Sequence, residues 1–555
     1  MSKTLFWYVF KDLLKIFLMT SLVLAGIMSF GGLLKPMMQY GLNGSQMAKM
    51  VLYLLPAMQT YSLPIAALFA TTIVYGRLAA DNELTACRAG GISHMNMLVP
   101  AVVLALVLSI TSLLCLCFVV PRFTLKVEKV AFDSLAEMVK KRFDRKHEIT
   151  LDKKTTVYAD SVDILPPPPD RPNDEVIVLN GPVFYSYDRD EKAHKNQGIV
   201  VPTEFYTARR AIAVIQRDDN QVRFIAQLEG GASFPREFKG STLGGVEVAQ
   251  FGPIDLKESL IRENTKFMDI QQLKKLYYDP MRSRKIRDYY NTVTQREQEL
   301  AFFNTVASAL NRTAQYRFQG VNESYLLQLD PEIKLPAYTQ GESIDISSAP
   351  GSQSRQIRLQ RISNGEIEAT DEARRLSLRI QADPYNDQIN LVFRLEDVLV
   401  STQAAQQPPR RSFAHQFQMP MPAELAAYKT ERKPDYYMTK GTIKDDSLTN
   451  LRKEIPSLQS DIVAEIHGRV SFAVSCLILV IIGCALGMMF KTGNYLSAFA
   501  LSVIPALLCI ALMVTGQHVI ENQSNLLKLG LATIWSGNAI VLCLAAGLLG
   551  HLRRQ

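Results

Sequence analysis

Six apolar segments dominate this sequence, each about as long as the 20-residue helix that a bilayer core of about 30 Å requires. They run near Ile16–Leu34, Val51–Gly76, Met97–Val120, Val470–Phe490, Tyr495–Gly516 and Leu529–Gly550. A single soluble domain has no place for six such runs, so the chain is expected to be a helical membrane protein with three spans at each end. The first run is too long for a signal-peptide core and lacks a small-residue cleavage site, which predicts a retained helix. Pro56, Pro64, Pro100 and Pro505 lie inside the runs. Neighbouring membrane helices can satisfy the carbonyls that such prolines free.

The 555 residues have a mean hydropathy of only +0.03, but that value averages two chemistries. Residues 1–120 and 467–555 together hold twelve Lys or Arg against four Asp or Glu, whereas 121–466 hold forty-nine of each. The surplus sits beside apolar runs, so it reads as orientation charge and not as a nucleic-acid surface. Placing the N-terminus in the cytoplasm puts Lys3, Lys11, Lys15, Arg77, Arg88, Lys491, Arg553 and Arg554 inside. Lys35, Lys49 and Lys528 are left at the outer ends. Both termini are then cytoplasmic and the polar centre extracytoplasmic. Residues 118–475 contain no cysteine, which excludes a disulfide framework or a cysteine metal site there.

The expected domains are 1–120, an interfacial helix and three spans; 121–284, a mainly β domain; 285–455, an α/β insertion; and 456–555, three more spans. Short alternating runs such as Val176–Leu179 and Val183–Tyr187 predict strands. The stretch Arg284–Leu310 predicts a helix, 340–402 returns to strand patterning, and a polar connector follows from Gln403 to about Pro434. One pattern occurs twice. Ala208-Arg-Arg followed by Gln221–Glu229 is echoed by Ala373-Arg-Arg followed by Gln388–Glu396. Duplication and two unrelated hairpins explain the echo equally well.

No G-x-x-x-x-G-K-[ST] phosphate loop, H-E-x-x-H or serine-nucleophile signature occurs, so no residue is assigned a catalytic, metal-binding or cofactor-binding role. The spans are nearly free of acidic residues, which argues against a proton relay and for a separate energy source. The most informative local stretch is Gly76-Arg-Leu-Ala-Ala-Asp-Asn-Glu-Leu-Thr-Ala-Cys-Arg-Ala-Gly-Gly-Ile-Ser93. Asp81 is expected to cap a short helix, Glu83 to suit its positive end, and Gly90-Gly91 to stop it. An ordinary solvated turn is the bland alternative.

This stretch resembles the equivalent loop of the LptF/LptG family of lipopolysaccharide export permeases. Leu63-Pro-Ile-Ala66, Glu465-Ile-His-Gly-Arg469 and Trp535-Ser-Gly-Asn538 fit the same family, as does the order of three spans, outer domain and three spans. The resemblance covers residues 1–270 and 455–555, with no family counterpart for about 285–455. It implies a permease subunit of an ATP-binding-cassette exporter, paired with a second homologous permease and a separate cytoplasmic ATPase. The pair would pass lipopolysaccharide or a related glycolipid through a β-jellyroll to a periplasmic bridge protein. It further implies that Arg77, Asp81, Glu83 and Arg88 dock the ATPase and that the first and fifth spans form lateral gates. Lys35 would meet lipid phosphates, against the simpler role of an interfacial anchor. In the hairpin 211–228, Val222, Phe224, Ala226 and Leu228 share one face by period 2. That face is either a sheet core or a path for acyl chains, with Val222, Phe224 and Leu228 as the lipid-binding candidates. His467 and Arg469 are expected to fasten the outer domain to the fourth span. A membrane-anchored sensor or scaffold is the alternative function, though a sensor needs no coupling loop. A lipid-modifying enzyme would need a titratable cluster near the membrane, and the sequence has none.

Overall fold

The computed structural model describes residues 3–40, 44–131, 139–140, 143–144, 147–150, 155–167, 174–187, 202–218, 221–235, 245–256, 264–320, 323–338, 343–348, 354–363, 366–382, 389–402, 410–420, 432–439, 446–489 and 495–554. Lys491 lies outside the described residues, as do 403–409 and 421–431 of the expected connector, whose middle is not a linker but a strand, Arg410–Pro420, paired along the sheet edge. The chain divides into two compact units, Met1–Asp279 with Ser457–Gln555, and Pro280–Pro456. The second unit's limits fall close to the stretch 285–455 set apart in the sequence.

The first unit opens with α1 (Lys3–Tyr40), α2 (Gly44–Ala80), α3 (Glu83–Ala89), α4 (His94–Leu114) and α5 (Val120–Ala131). A single π turn, Cys115–Val119, joins α4 to α5. Eight strands follow: β1 (Glu148–Thr150), β2 (Thr155–Tyr158), β3 (Ser161–Leu165), β4 (Glu175–Asn180), β5 (Val183–Tyr187), β6 (Pro202–Asp218), β7 (Gln221–Pro235) and β8 (Gly245–Leu256). After them comes α6 (Ile270–Tyr278), whose Asp269 and Gln272 form a reciprocal capping box.

The second unit begins with α7 (Arg284–Thr313), followed by β9 (Gln315–Gln319), β10 (Glu323–Leu329), β11 (Ser343–Ser347), β12 (Ile357–Ser363), β13 (Glu366–Ala373), β14 (Arg375–Ala382), β15 (Ile389–Thr402) and β16 (Arg410–Pro420). The chain then passes through α8 (Pro434–Thr439) into α9 (Asp446–Met489), α10 (Tyr495–Asn522) and α11 (Leu527–Arg554).

Six helices are long and apolar enough to cross a membrane, and they coincide with the six runs read from the sequence. The expected prolines sit inside α2, α4 and α10. Burial is uneven: 72% of the most apolar stretch of α2 and 78% of that of α9 is buried, against 22–33% in the other four. Two glycines allow the central pair to approach. A Cβ at Gly487 of α9 would lie 2.7 Å from the Thr72 carbonyl of α2, and Gly483 is equally crowded by Thr71. The flanks of α1 and α10 leave Leu18, Leu22, Ile27, Ile504 and Leu507 exposed, as lipid-facing or partner-facing helices do.

Both β regions are curled antiparallel sheets of eight strands, and they share one strand order. In the first, β1, β2, β5 and the front half of β6 pair in sequence; the rear half of β6 pairs with β4, and β7 and β8 follow on its other edge. In the second, β9, β10, β12 and β13 repeat that series, β14 pairs with β11, and β15 and β16 follow. Strand β3 is the addition in the first copy. The twin Ala-Arg-Arg segments occupy equivalent places, with Arg210 opposite Glu229 and Arg375 opposite Glu396. Each hairpin is kinked there by a residue with positive φ, Gly230 at 63° and Asp397 at 51°. Even the flanking bonds correspond: Gly181 N–H donates to the Arg209 carbonyl at 3.0 Å, and Ser348 N–H to the Arg374 carbonyl at 2.9 Å. The echo in the sequence is therefore one β unit built twice.

The inner faces are filled differently. The first sheet buries Phe143, Ile177, Phe184, Phe224 and Leu228 with alanines that include Ala208, Ala211, Ala213 and Ala226. The second receives Phe302, Phe303, Val306 and Leu310 of α7 against Phe318, Leu327 and Phe393. Tyr325, Phe393 and Phe417 stack on one another with ring centroids 5.0–5.5 Å apart.

Candidate functional site

The loop between α2 and α4 forms the short helix α3, and its start differs from the expected one. Asp81 does not cap it: the Asp81 N–H donates to the Arg77 carbonyl at 2.9 Å and prolongs the last turn of α2. Asn82 occupies the cap position with φ 58°, a left-handed conformation that asparagine tolerates better than most residues, and makes no side-chain cap bond. Glu83 then stands in the first turn and Arg88 in the last, each matching the helix dipole. The helix ends at Gly90, and Gly91 turns away at φ 80° as expected.

One side of α3 is anchored and the rest is open to solvent. Leu84, its buried residue, closes an apolar pocket with Leu5, Val9, Tyr75, Leu78 and Met97. Two polar clasps reinforce this contact from α1. Arg77 forms an ion pair with Asp12, and the Tyr8 hydroxyl donates to Glu83 Oε1 at 3.3 Å. The sequence reading missed Tyr8 and Asp12. Asp12 is the lone acidic residue before Asp81, and Arg77 the lone arginine before Arg88, which was the available signal for that pair. The beginning of the first span thus holds the corner between α2 and α3.

A second constellation lies at the start of the fourth span. Arg469, 4% exposed, pairs with Glu465 at 2.8 Å one helical turn away. It also donates to the carbonyls of Met268 at 2.8 Å, Lys266 at 3.2 Å and Thr265 at 3.4 Å. Those carbonyls belong to the 3-10 turn Thr265–Phe267 and the residue after it, just before α6. Gln517 of α10 donates to Glu465 at 3.4 Å, and Glu521 of α10 pairs with Lys266 at 2.7 Å. His467 accepts from the Trp535 indole at 3.3 Å, and Asn538 donates to Ser471 at 2.8–2.9 Å. These residues join the chain leaving the first sheet to α9, α10 and α11.

The remaining candidates are not gathered with either cluster. Lys35 lies in α1 and Val222 in β7, but both side chains fall outside the described residues. Phe224 and Leu228 are 2% and 1% exposed, and Phe224 packs beside Phe184 at a ring distance of 6.5 Å. Among the described residues no group of three or more His, Cys, Asp or Glu converges to hold a metal.

A comparison with protein-family models finds the lipopolysaccharide export system permease LptF/LptG over residues 7–165 and 302–551. The chain belongs to the LptF/LptG family. At the level of that family it is a lipopolysaccharide export permease, a transporter subunit that crosses the inner membrane several times. No curated protein matches it. The LptF/LptG match stops at the end of β3, resumes within α7 and leaves 166–301 unmatched. The resemblance in the sequence instead set 285–455 apart.

Proposed function

We propose that this chain is one permease subunit of an exporter that lifts lipopolysaccharide, or a related glycolipid, out of the inner membrane. A separate cytoplasmic ATPase drives it, a second homologous permease completes the membrane cavity, and a periplasmic bridge protein receives the lipid. The termini are cytoplasmic and the β units periplasmic. The charge asymmetry of the short loops supports that orientation.

The observation that carries this reading is the clasped helix α3. A short helix with one apolar anchor, Leu84, and charged ends is suited to lying in a groove of a partner. Its bonds to Tyr8 and, through Arg77, to Asp12 make α1 its immediate mechanical neighbour. The ATPase-docking residues are Arg77, Asp81, Glu83 and Arg88, and movement of α3 is passed to the first span. Lys35, near the other end of α1, meets the lipid phosphates, and the exposed apolar flanks of α1 and α10 are the gates. The acyl chains then follow the face of β7 that carries Val222, Phe224 and Leu228. Because Phe224 and Leu228 are buried, that passage requires the first sheet to part from its own filling. His467 and Arg469 hold the β unit to the spans during this movement.

Glu83→Lys tests the docking. A partly buried pair left unmatched costs about 3–5 kcal/mol, against about 0–1 kcal/mol for an exposed one. The variant should insert in the membrane yet lose its co-purifying ATPase. Unchanged co-purification and unchanged lipid-stimulated ATP hydrolysis would make α3 an ordinary surface turn.

A further inference from the structure

The kink of the second sheet carries a dense arrangement of charge. At the equivalent position the first sheet uses Gly230, which adopts positive φ without a Cβ penalty, and the second uses Asp397. A glycine would serve the bend, so the aspartate's carboxylate has a further role. Three arginines converge on it from separate segments. Arg355, before β12, donates Nε to the Asp397 carbonyl at 3.0 Å and Nη2 to Oδ1 at 3.2 Å. Arg374, between β13 and β14, places Nε 3.1 Å from Oδ2. Arg411 of β16 brings Nε and Nη2 to Oδ1 at 3.2 and 3.1 Å.

Beside them Arg375 and Arg394 share Glu396 at 3.9 and 3.6 Å. Among the described residues five guanidiniums therefore gather at two carboxylates, while the adjoining Arg358–Glu372 pair is balanced. Burial raises the Asp397 carboxyl, but the hydrogen bonds and charges of Arg411 and Arg355 outweigh it and hold the group below its ordinary value. The carboxylate thus stays ionised and orients the cluster. A guanidinium has five N–H donors, and Asp397 takes two from Arg355 and two from Arg411. The side chains of Arg375 and Arg411 are each 72% exposed, that of Arg394 52% and that of Arg374 43%, so the surplus charge faces solvent.

We propose that the kink of the second sheet is a binding site for a phosphate monoester dianion, with Arg374, Arg375, Arg394 and Arg411 as its donors and Asp397 as the residue that positions them. Planar guanidinium forks match tetrahedral phosphate oxygens, and a dianion offsets most of the surplus. The proposal rests on the exporter reading for one of two possible sources, the phosphorylated headgroup of the glycolipid. The other is free phosphate or pyrophosphate.

The test uses the full chain in nanodiscs, with a photo-crosslinker at Ser377, which pairs with Arg394 across β14 and β15. The probes are a bisphosphorylated glycolipid, the same lipid after dephosphorylation, and pyrophosphate. The expected result is an adduct with the phosphorylated lipid alone, reduced at least tenfold in Arg375→Gln/Arg394→Gln and in Arg374→Gln/Arg411→Gln. The first pair leaves the Asp397 clasp intact, so loss of binding there is not loss of the bend. Saturable pyrophosphate binding that needs the same arginines, without a lipid adduct, would support the site and assign it to free phosphate. Equal binding of all probes to both variants, or no binding of any probe, would overturn the proposal. Retained ATPase co-purification in that event would leave the exporter reading standing.

Discussion

The two β units solve the same bend in opposite ways. In the first, Gly230 turns the hairpin without a side chain, several alanines sit on the inner face, and β6 runs through the kink as one strand of 17 residues. In the second, Asp397 turns it, Arg374 interrupts the strand, and helix α7 fills the curl with aromatic side chains. One strand order can therefore support two interiors: one that mixes alanines with larger residues such as Ile177, Leu179, Phe184 and Phe224, and a solid core packed by helix α7. The solid core suits a rigid platform whose chemistry lies at its surface.

The largest expected effect is in the solid core. Phe302→Asp places a charge among Phe303, Phe318 and Phe393 and should unfold the second unit at a cost of several kcal/mol. Hydrogen exchange of residues 284–420 would report it, and slow exchange retained in the variant would mean that α7 is not an integral part of that core. Close behind is the junction. Removing Arg469 leaves three carbonyls without that donor and Glu465 with Gln517 but no counter-charge, so Arg469→Met should cost about 3–5 kcal/mol. Protease sensitivity should rise around 256–268 while the six spans stay inserted. An unchanged digestion pattern would reduce Arg469 to an incidental contact.

Smaller effects compare the kinks directly. Gly230→Ala forces an L-residue to φ 63° and should cost about 1–2 kcal/mol. Asp397→Gly relieves that conformation but releases three arginines, so the second unit should keep its fold while its anion binding weakens. Thermal unfolding would separate the two cases. Equal destabilisation by both changes would show that the Asp397 carboxylate serves stability alone.

The membrane part was legible in the sequence because a bilayer imposes length and apolarity on each span, and Gly90-Gly91 marked the end of α3 by backbone chemistry. The twin Ala-Arg-Arg segments announced a repeat, but only strand pairing could show that it extends over the whole sheet. What stayed hidden depends on contacts distant in sequence. Tyr8 reaches Glu83 across 75 residues, and Arg469 reaches Met268 across 201. Asp81 was misplaced by one residue as a cap because α2 continues a turn beyond the apolar run expected to end at Gly76, and Asp81 closes that turn. The alternation around Phe224 fitted both a core and a lipid path, since period 2 names a face and not what covers it, and the structure covers that face with the sheet's own core.

The central claim is that lipid passes from the spans into the first β unit under the drive of a partner ATPase. A photo-crosslinker at Phe224, in proteoliposomes holding the chain with its partner permease and ATPase, tests it most directly. A glycolipid adduct that forms with ATP, and falls to background with a non-hydrolysable analogue or with Glu83→Lys, is the predicted result. A well-folded complex that hydrolyses ATP in response to lipid yet yields no adduct at residue 224 would contradict it.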